Sequence, residues 1–143
     1  QKHYTTIDSS FYGPVVDGMD LVVNGGKGST ARNARIEGIT VCGKTGTAEN
    51  PHGNDHSIFI AFAPKEDPEI AIAVYVENQG FGTTYAAPIA SLMIEKYLTG
   101  EVKRTWYENW VMQLIQPAAP VRKQDTVASD TLANLQLEDG TEE

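Results

Sequence analysis

Residues 43–49 read Gly-Lys-Thr-Gly-Thr-Ala-Glu, and a Gly-Lys-Thr step occurs in two unrelated kinds of functional site. A phosphate-binding loop has the pattern G-x-x-x-x-G-K-[ST], which Gly38–Thr45 satisfies at every position. An active-site serine acyltransferase carries K-T-G on a strand, which here would be Lys44–Gly46. The residues around the motif decide between these two chemistries.

The sequence context disfavours the phosphate-binding loop. Its variable positions must form an open turn so that backbone N–H groups point at phosphate oxygens, yet three of residues 39–42 are β-branched and favour extended backbone. A helix must also begin at Lys44, and the glycines and the proline of residues 46–53 oppose one. We therefore predict a strand over Ile36–Ala48, and keep a nucleotide-binding module as a second hypothesis. Period two places Ile39, Val41, Thr45 and Thr47 on one side of that strand and Lys44 on the other.

The remaining segments indicate an α+β fold. Two apolar runs, Ser57–Ala63 and Ile70–Val76, predict strands whose short connection requires antiparallel pairing. Both runs are apolar on both faces, so we expect the sheet to be covered on both sides. Three helices are predicted: from Pro14 to Asn24, from Thr83 or Thr84 to about Leu98, and around Trp106–Leu114. The buried stripe expected on the second helix is Ile89, Leu92, Met93 and Tyr97.

Composition narrows the function classes. The net charge of −8 argues against a nucleic acid partner. No apolar run is long enough to span a membrane, and the only cysteine, Cys42, cannot form an internal disulfide. His52, Asp55 and His56 have spacing that could hold a metal, but we interpret their Gly/Asn/Pro-rich surroundings as a solvated turn. Cys42 beside Lys44 could be a reactive thiol, although a buried strand residue is the favoured interpretation.

Several separate blocks of the chain match one family in order and spacing. They lie within residues 13–98 and are Asp17–Gly26, Gly28–Ala31, Gly43–Ala48, His56–Pro64, Ile70–Asn78 and Ala86–Ala90. In these blocks the chain resembles the class B penicillin-binding proteins, and among them the penicillin-binding protein 2 group. The resemblance implies the fold shared by penicillin-binding transpeptidases and serine β-lactamases, with an antiparallel sheet flanked by helices.

The resemblance also implies a mechanism for cell-wall synthesis and cell shape. A serine attacks the penultimate D-alanine carbonyl of a peptidoglycan stem peptide, and an amine of a neighbouring stem resolves the acyl-enzyme. Lys44 would place its charge beside the substrate carboxylate, and the hydroxyls of Thr45 and Thr47 would hydrogen-bond to it. The Thr47 N–H would supply half of an oxyanion hole, and Gly46 would let the substrate backbone approach the strand. No cofactor or metal is implied.

Only one of the family's three motifs, S-x-x-K, S-x-N and K-T-G, is present. No serine of the chain is followed by Lys three residues later or by Asn two residues later. We therefore expect a fragment that is inactive alone, in which residues 1–116 are the C-terminal portion of a transpeptidase domain. Residues 117–143, with six acidic and two basic side chains, are expected to be a disordered tail. A β-lactamase or a D,D-carboxypeptidase of the same fold is the alternative, and a non-catalytic interaction domain is a further one.

The expected partners follow from the family. They are peptidoglycan stem peptides and β-lactams in the full protein, the missing N-terminal part of the domain, and a cell-wall polymerase. The implied location is the periplasmic side of the bacterial inner membrane, with the anchor in a segment absent here. The third strand would have a bare outer edge, so we expect the isolated chain to dimerise or aggregate.

Overall fold

A computed structural model describes residues 5–115 of the chain and confirms the α+β class. Helix α1 comes first, then three strands, β1, β2 and β3, and finally helices α2 and α3. Their bounds are α1 Tyr12–Asn24, β1 Cys42–Ala48, β2 His56–Ala63, β3 Ile70–Val76, α2 Ala86–Thr99 and α3 Thr105–Leu114. Short 3-10 turns lie at Ser9–Phe11, Gly26–Gly28 and Arg32–Ala34. The expected tail, 117–143, lies outside the described residues.

The three strands form one antiparallel sheet in the order β1-β2-β3. Lys44 of β1 lies opposite Ile60 of β2, and Gly46 lies opposite Ile58. Within the described residues β1 and β3 are therefore the two outer strands, and each has one edge without a strand partner. The predicted antiparallel connection between the second and third strands is confirmed.

The core lies between the sheet and α2. Alternate residues of β2 are buried, from Ser57 to Ala63, and pack with the small residues Ala86, Ala87 and Ala90. Ile94 completes this buried face of the helix. Because alanines leave little side chain between the layers, the helix approaches the sheet closely enough to bury Phe59 completely.

Helix α1 covers only part of the opposite sheet face. Its Met19 lines a shallow groove of about 390 Å³ with β2 and β3 residues that include Phe62. Lys65, just after β2, pairs with Asp17 at 2.9 Å and with Asp20 at 2.8 Å, which ties the helix to the β2–β3 turn. Farther along the sheet Ile60 and Tyr75 are exposed. The expectation of a sheet covered on both sides is therefore wrong for this part of the face.

Two further expectations need correction. The strand predicted from Ile36 begins only at Cys42, because residues 36–39 form a tight turn in which Ile39 N–H donates to Ile36 O and Gly38 has a φ of +78°. The stripe predicted for α2 is wrong at two of its four positions: Ile89 and Leu92 are half-buried, but Met93 and Tyr97 are 52% and 62% exposed.

The buried face of α2 includes two polar residues in place of that stripe. These are Ser91 and Glu95, and Arg104 satisfies both of them. Helix α2 begins at Ala86, and neither of the threonines predicted to cap it does so. None of the helices between residues 5 and 115 combines the length and apolar character needed to cross a bilayer.

Candidate active site

The candidate site is the outer strand β1, which carries all the residues singled out by the K-T-G motif. Lys44 and Thr47 are exposed, while Thr45 and Gly46 are half-buried. Pairing places Thr45 opposite Phe59 and Thr47 opposite Ser57, on the face that carries the core, whereas Lys44 projects from the other face. The predicted alternation along β1 is thus confirmed between Lys44 and Thr47.

The Lys44 ammonium folds back onto its own strand. Its Nζ donates to the carbonyl oxygen of Thr45 at 2.9 Å, and no carboxylate of the described residues lies within ion-pair distance of it. A single backbone carbonyl is a weak partner for an ammonium group. An anion that arrives at β1 would therefore meet a cation that is already positioned and not neutralised.

The two glycines of the motif have different physical roles. A Cβ on Gly43 would lie 2.4 Å from Cζ of Phe59, so this glycine makes room for a core ring. A Cβ on Gly46 would lie 3.2 Å from Cβ of Ile58, a tight contact. Gly43 is buried against the core, so its missing side chain leaves room for Phe59 and not for a ligand.

The loops that follow β1 and β3 are joined by polar side chains. Asn50 donates to the Asn78 side chain at 2.6 Å, and its own N–H donates to Asp55 at 3.2 Å. His56 accepts the N–H of Asn78 at Nδ1, 3.0 Å away, and its ring lies 5.2 Å from that of Tyr75. Asp55 and His56 therefore act within this loop network. In residues 5–115 no cluster of three metal-ligating side chains forms, and His52 is exposed.

Cys42 is a buried strand residue, as the sequence favoured. It has no exposed surface, and burial raises the pKa of its thiol, with the Asp20 carboxylate adding to the effect. A thiol with a raised pKa is a poor nucleophile at neutral pH. The reactive-thiol alternative is therefore not supported.

The phosphate-loop hypothesis fails its structural requirement. Strand β1 continues through Lys44 to Ala48, and no helix begins at the lysine. Backbone N–H groups of a paired strand do not converge on one point as those of a phosphate-binding loop do.

Comparison with known proteins now identifies the family. The family model for the penicillin binding protein transpeptidase domain matches residues 1–95. The chain belongs to this family. The resemblance stated from the sequence blocks is thereby confirmed.

Relatives with curated names point in the same direction. The peptidoglycan D,D-transpeptidase PbpA of Mycobacterium tuberculosis is 41% identical over 93 residues, which covers 57% of this chain and 18% of the relative. The peptidoglycan D,D-transpeptidase MrdA of Haemophilus influenzae is 34% identical over 96 residues, covering 57% of this chain and 15% of the relative. The chain thus spans less than a fifth of the length of these relatives.

Solved structures support the fold. Penicillin-binding protein 2 of Pseudomonas aeruginosa, in complex with WCK 5153, superposes with a TM-score of 0.60 at 33% identity and covers 72% of this chain and 23% of that one. Penicillin-binding protein 2 of Helicobacter pylori, in complex with MreC, gives 0.55 at 29% identity and covers 66% of this chain and 18% of that one. The three-stranded sheet with its helices is therefore part of the penicillin-binding transpeptidase fold.

Sequence reasoning missed two residues beside the motif. Gly82 is buried against the backbone of β1 and β2, and Ser57 has no exposed surface although it is polar. A serine among the apolar residues of β2 was the available signal, because a buried hydroxyl requires a hydrogen-bond partner.

Proposed function

We propose that this chain supplies the K-T-G strand of a peptidoglycan D,D-transpeptidase that cross-links stem peptides through a serine acyl-enzyme and binds β-lactams. The observation that carries the proposal is the geometry of β1. It is an outer strand with Lys44 unneutralised, Thr47 exposed and one edge free of any strand between residues 5 and 115. Curated relatives at 34–41% identity are named as D,D-transpeptidases, which supports the same reaction.

Each residue has a role in this proposal. Lys44 projects from the other face, but its four-carbon stem lets the ammonium reach around the edge of β1 and attract the terminal carboxylate of the stem peptide. The hydroxyls of Thr45 and Thr47 donate hydrogen bonds to that carboxylate. The Thr47 N–H stabilises the tetrahedral oxyanion, a contribution of about 3 kcal/mol for one such donor. Gly46 keeps the strand edge open for the substrate backbone. The nucleophile and its lysine are not encoded between residues 1 and 143, so this chain alone forms no acyl-enzyme.

The setting is part of the proposal. Relatives are named as peptidoglycan enzymes of bacteria, which agrees with work in the cell envelope, and we place the site on the periplasmic side of the inner membrane. The Helicobacter pylori homologue was solved with MreC, a precedent for protein partners in this family. A cell-wall polymerase and the N-terminal part of the same domain are the partners we propose.

Labelling with fluorescent penicillin tests the proposal. A longer protein that contains these residues with S-x-x-K and S-x-N upstream should be labelled covalently, and the 143-residue chain should not. Lys44→Ala in the longer protein should slow acylation at least about tenfold, because a charge aimed at the carboxylate is lost. Lys103→Ala, which removes another exposed lysine, should leave the rate unchanged. Labelling of the short chain, or rapid turnover of the penicillin, would contradict the assignment.

A further inference from the structure

Gly82 lies against the backbone of the candidate site. A Cβ built on it would lie 2.7 Å from the carbonyl oxygen of Gly46 and 2.1 Å from that of Ile58. These two residues are directly paired on β1 and β2. Gly82 is buried, and its φ is not in the left-handed region. The position therefore requires glycine because two strand carbonyls occupy the space that a side chain would need, not because of its own backbone conformation.

The Gly46 carbonyl shares a peptide group with the N–H of Thr47. A peptide unit is planar and trans, so its C=O and N–H point in opposite directions and move as one body. A push on the Gly46 oxygen thus tilts the Thr47 N–H by a comparable angle. Gly82 therefore lies beside the oxygen end of this peptide group, while the Thr47 N–H points in the opposite direction.

Ser57 and the first turn of α2 hold the Gly82 segment in place. The Ser57 Oγ donates to Phe81 O at 2.9 Å and accepts from Ala86 N at 3.1 Å. Gly82 O accepts from Ala87 N at 2.9 Å. Ser57 also lies opposite Thr47 in the sheet register. The buried Ser57 hydroxyl therefore links three elements. These are β2, which pairs with the strand that carries Thr47, the loop before α2, and α2 itself.

We infer that Gly82, held by Ser57, is a positioning residue that fixes the orientation of the Gly46–Thr47 peptide plane and hence of the Thr47 N–H. The inference rests on the proposed function, in which that N–H binds the oxyanion. It assigns a role to a loop residue outside the K-T-G motif. Displacing a catalytic group by about 1 Å can cost about a hundredfold in rate, so a small tilt of this plane has a measurable consequence.

The geometric part is tested by amide NMR on the 143-residue chain carrying Ala73→Lys, a charge on the outer strand β3 that should suppress association of the isolated chain. Gly82→Ala should shift the Thr47 amide resonance, because the added methyl cannot fit beside the Gly46 and Ile58 oxygens as they stand, so the contact between this loop and β1 must change. Gly18→Ala is the matched control, since a Cβ on Gly18 meets no atom within 4 Å. If Gly82→Ala does not fold, Ser57→Ala provides the same test through the lost anchor. A Thr47 resonance that moves no more than in Gly18→Ala would overturn the inference.

The catalytic part is tested in the longer protein with fluorescent penicillin. Gly82→Ala should lower the acylation rate constant at least about tenfold while penicillin binding before acylation changes little, as expected for a misplaced oxyanion donor. Ser57→Ala should show the same split with a smaller loss. An acylation rate within twofold of wild type for Gly82→Ala would overturn the inference. Absence of labelling in the wild-type protein would instead refute the proposed function, and the NMR result would still decide the geometric part.

Discussion

Replacing Arg104, which lies just before α3, should lower the free energy of unfolding more than replacing any exposed charged residue of α2 or α3. Its Nε lies 3.0 Å from Oε2 of Glu95, which is 3% exposed. Its other nitrogens donate to Ser91 Oγ at 2.7 Å and to Arg35 O at 3.0 Å. The guanidinium also lies 5.0 Å from the centre of the Tyr107 ring. Arg104→Met removes all of these contacts and leaves a buried carboxylate without a cation.

The expected loss in the free energy of unfolding follows from the groups that still contact Glu95 after Arg104 is replaced. Breaking a buried ion pair by removing one partner costs about 3–5 kcal/mol. The lower end, about 3 kcal/mol, applies here because the Arg104 side chain is 19% exposed and the Lys103 N–H still reaches Glu95 at 3.3 Å. Replacing both partners, Glu95→Met with Arg104→Met, should recover most of this loss and leave about 1 kcal/mol for the unmade hydrogen bonds.

Urea unfolding followed by circular dichroism measures these free energies, and the slope with urea checks that the unfolded states are comparable. Lys103→Met is the matched control, because the neighbouring side chain is exposed and its backbone N–H survives the change. The double-mutant cycle then gives the coupling energy directly. Equal stabilities for Arg104→Met and Lys103→Met, or strictly additive losses at positions 95 and 104, would refute the reasoning.

Three further outcomes are expected. Gly43→Ala should destabilise the chain by about 1–3 kcal/mol, because the added methyl overlaps the Phe59 ring in the core. Gly18→Ala, at an open helical position, should not destabilise it, and calorimetry of both variants measures the difference. Burial raises the pKa of Tyr107 to about 12 from the usual 10.0, so the folded state keeps a proton that the unfolded chain releases. Stability should therefore hold below pH 10 and fall as pH rises towards 12. Tyr107→Phe should lessen that fall without abolishing it, because hydrogen bonds to Asp20 and Asp17 also raise the pKa of Lys65. The same variant should cost about 1 kcal/mol at pH 7, as measured by urea unfolding, since the Tyr107 hydroxyl donates to a backbone carbonyl at 2.6 Å. Ala73→Lys, which adds a charge to the outer strand β3, should suppress the association expected of the isolated chain; light scattering showing a monomer in both proteins would contradict the bare-edge prediction.

The helices and strands were predictable where the pattern of apolar residues and the flanking turn residues indicate the same boundaries. The strands at Ile70–Val76 and near Ser57–Ala63 have β-branched or aromatic runs between turn residues, and the structure places them there. The start of β1 was not predictable from the same signals. Ile36 and Ile39 suggest strand by composition, but Glu37-Gly38 between them forms a tight turn that propensity alone does not reveal.

The prediction of the buried face of α2 failed for a different reason. Hydrophobicity assigned Met93 and Tyr97 to the core, yet alanines and the Glu95–Arg104 pair occupy it. The partner of Glu95 lies nine residues away and beyond the end of the helix, so no helical periodicity links the two. Tertiary pairing of this kind overrides the apolar pattern, because a satisfied charge can be buried while a large ring stays exposed.

The residues of the candidate site also divide into those that the sequence reveals and those that only the structure reveals. Lys44–Thr47 could be found from the sequence because consecutive residues on one strand have positions fixed by the strand itself. Gly82 could not be found, since its relation to Gly46 depends on a loop that crosses back over the sheet after β3.

Strand geometry alone also does not fix the tilt of each peptide plane. The proposed oxyanion donor, the Thr47 N–H, is effective only when that tilt is fixed before the substrate binds. In this chain the motif supplies the chemical groups, and the loop that ends at Ala86, anchored through Ser57, supplies the constraint on their orientation. Substitutions in that loop should therefore alter acylation without altering any residue of the motif.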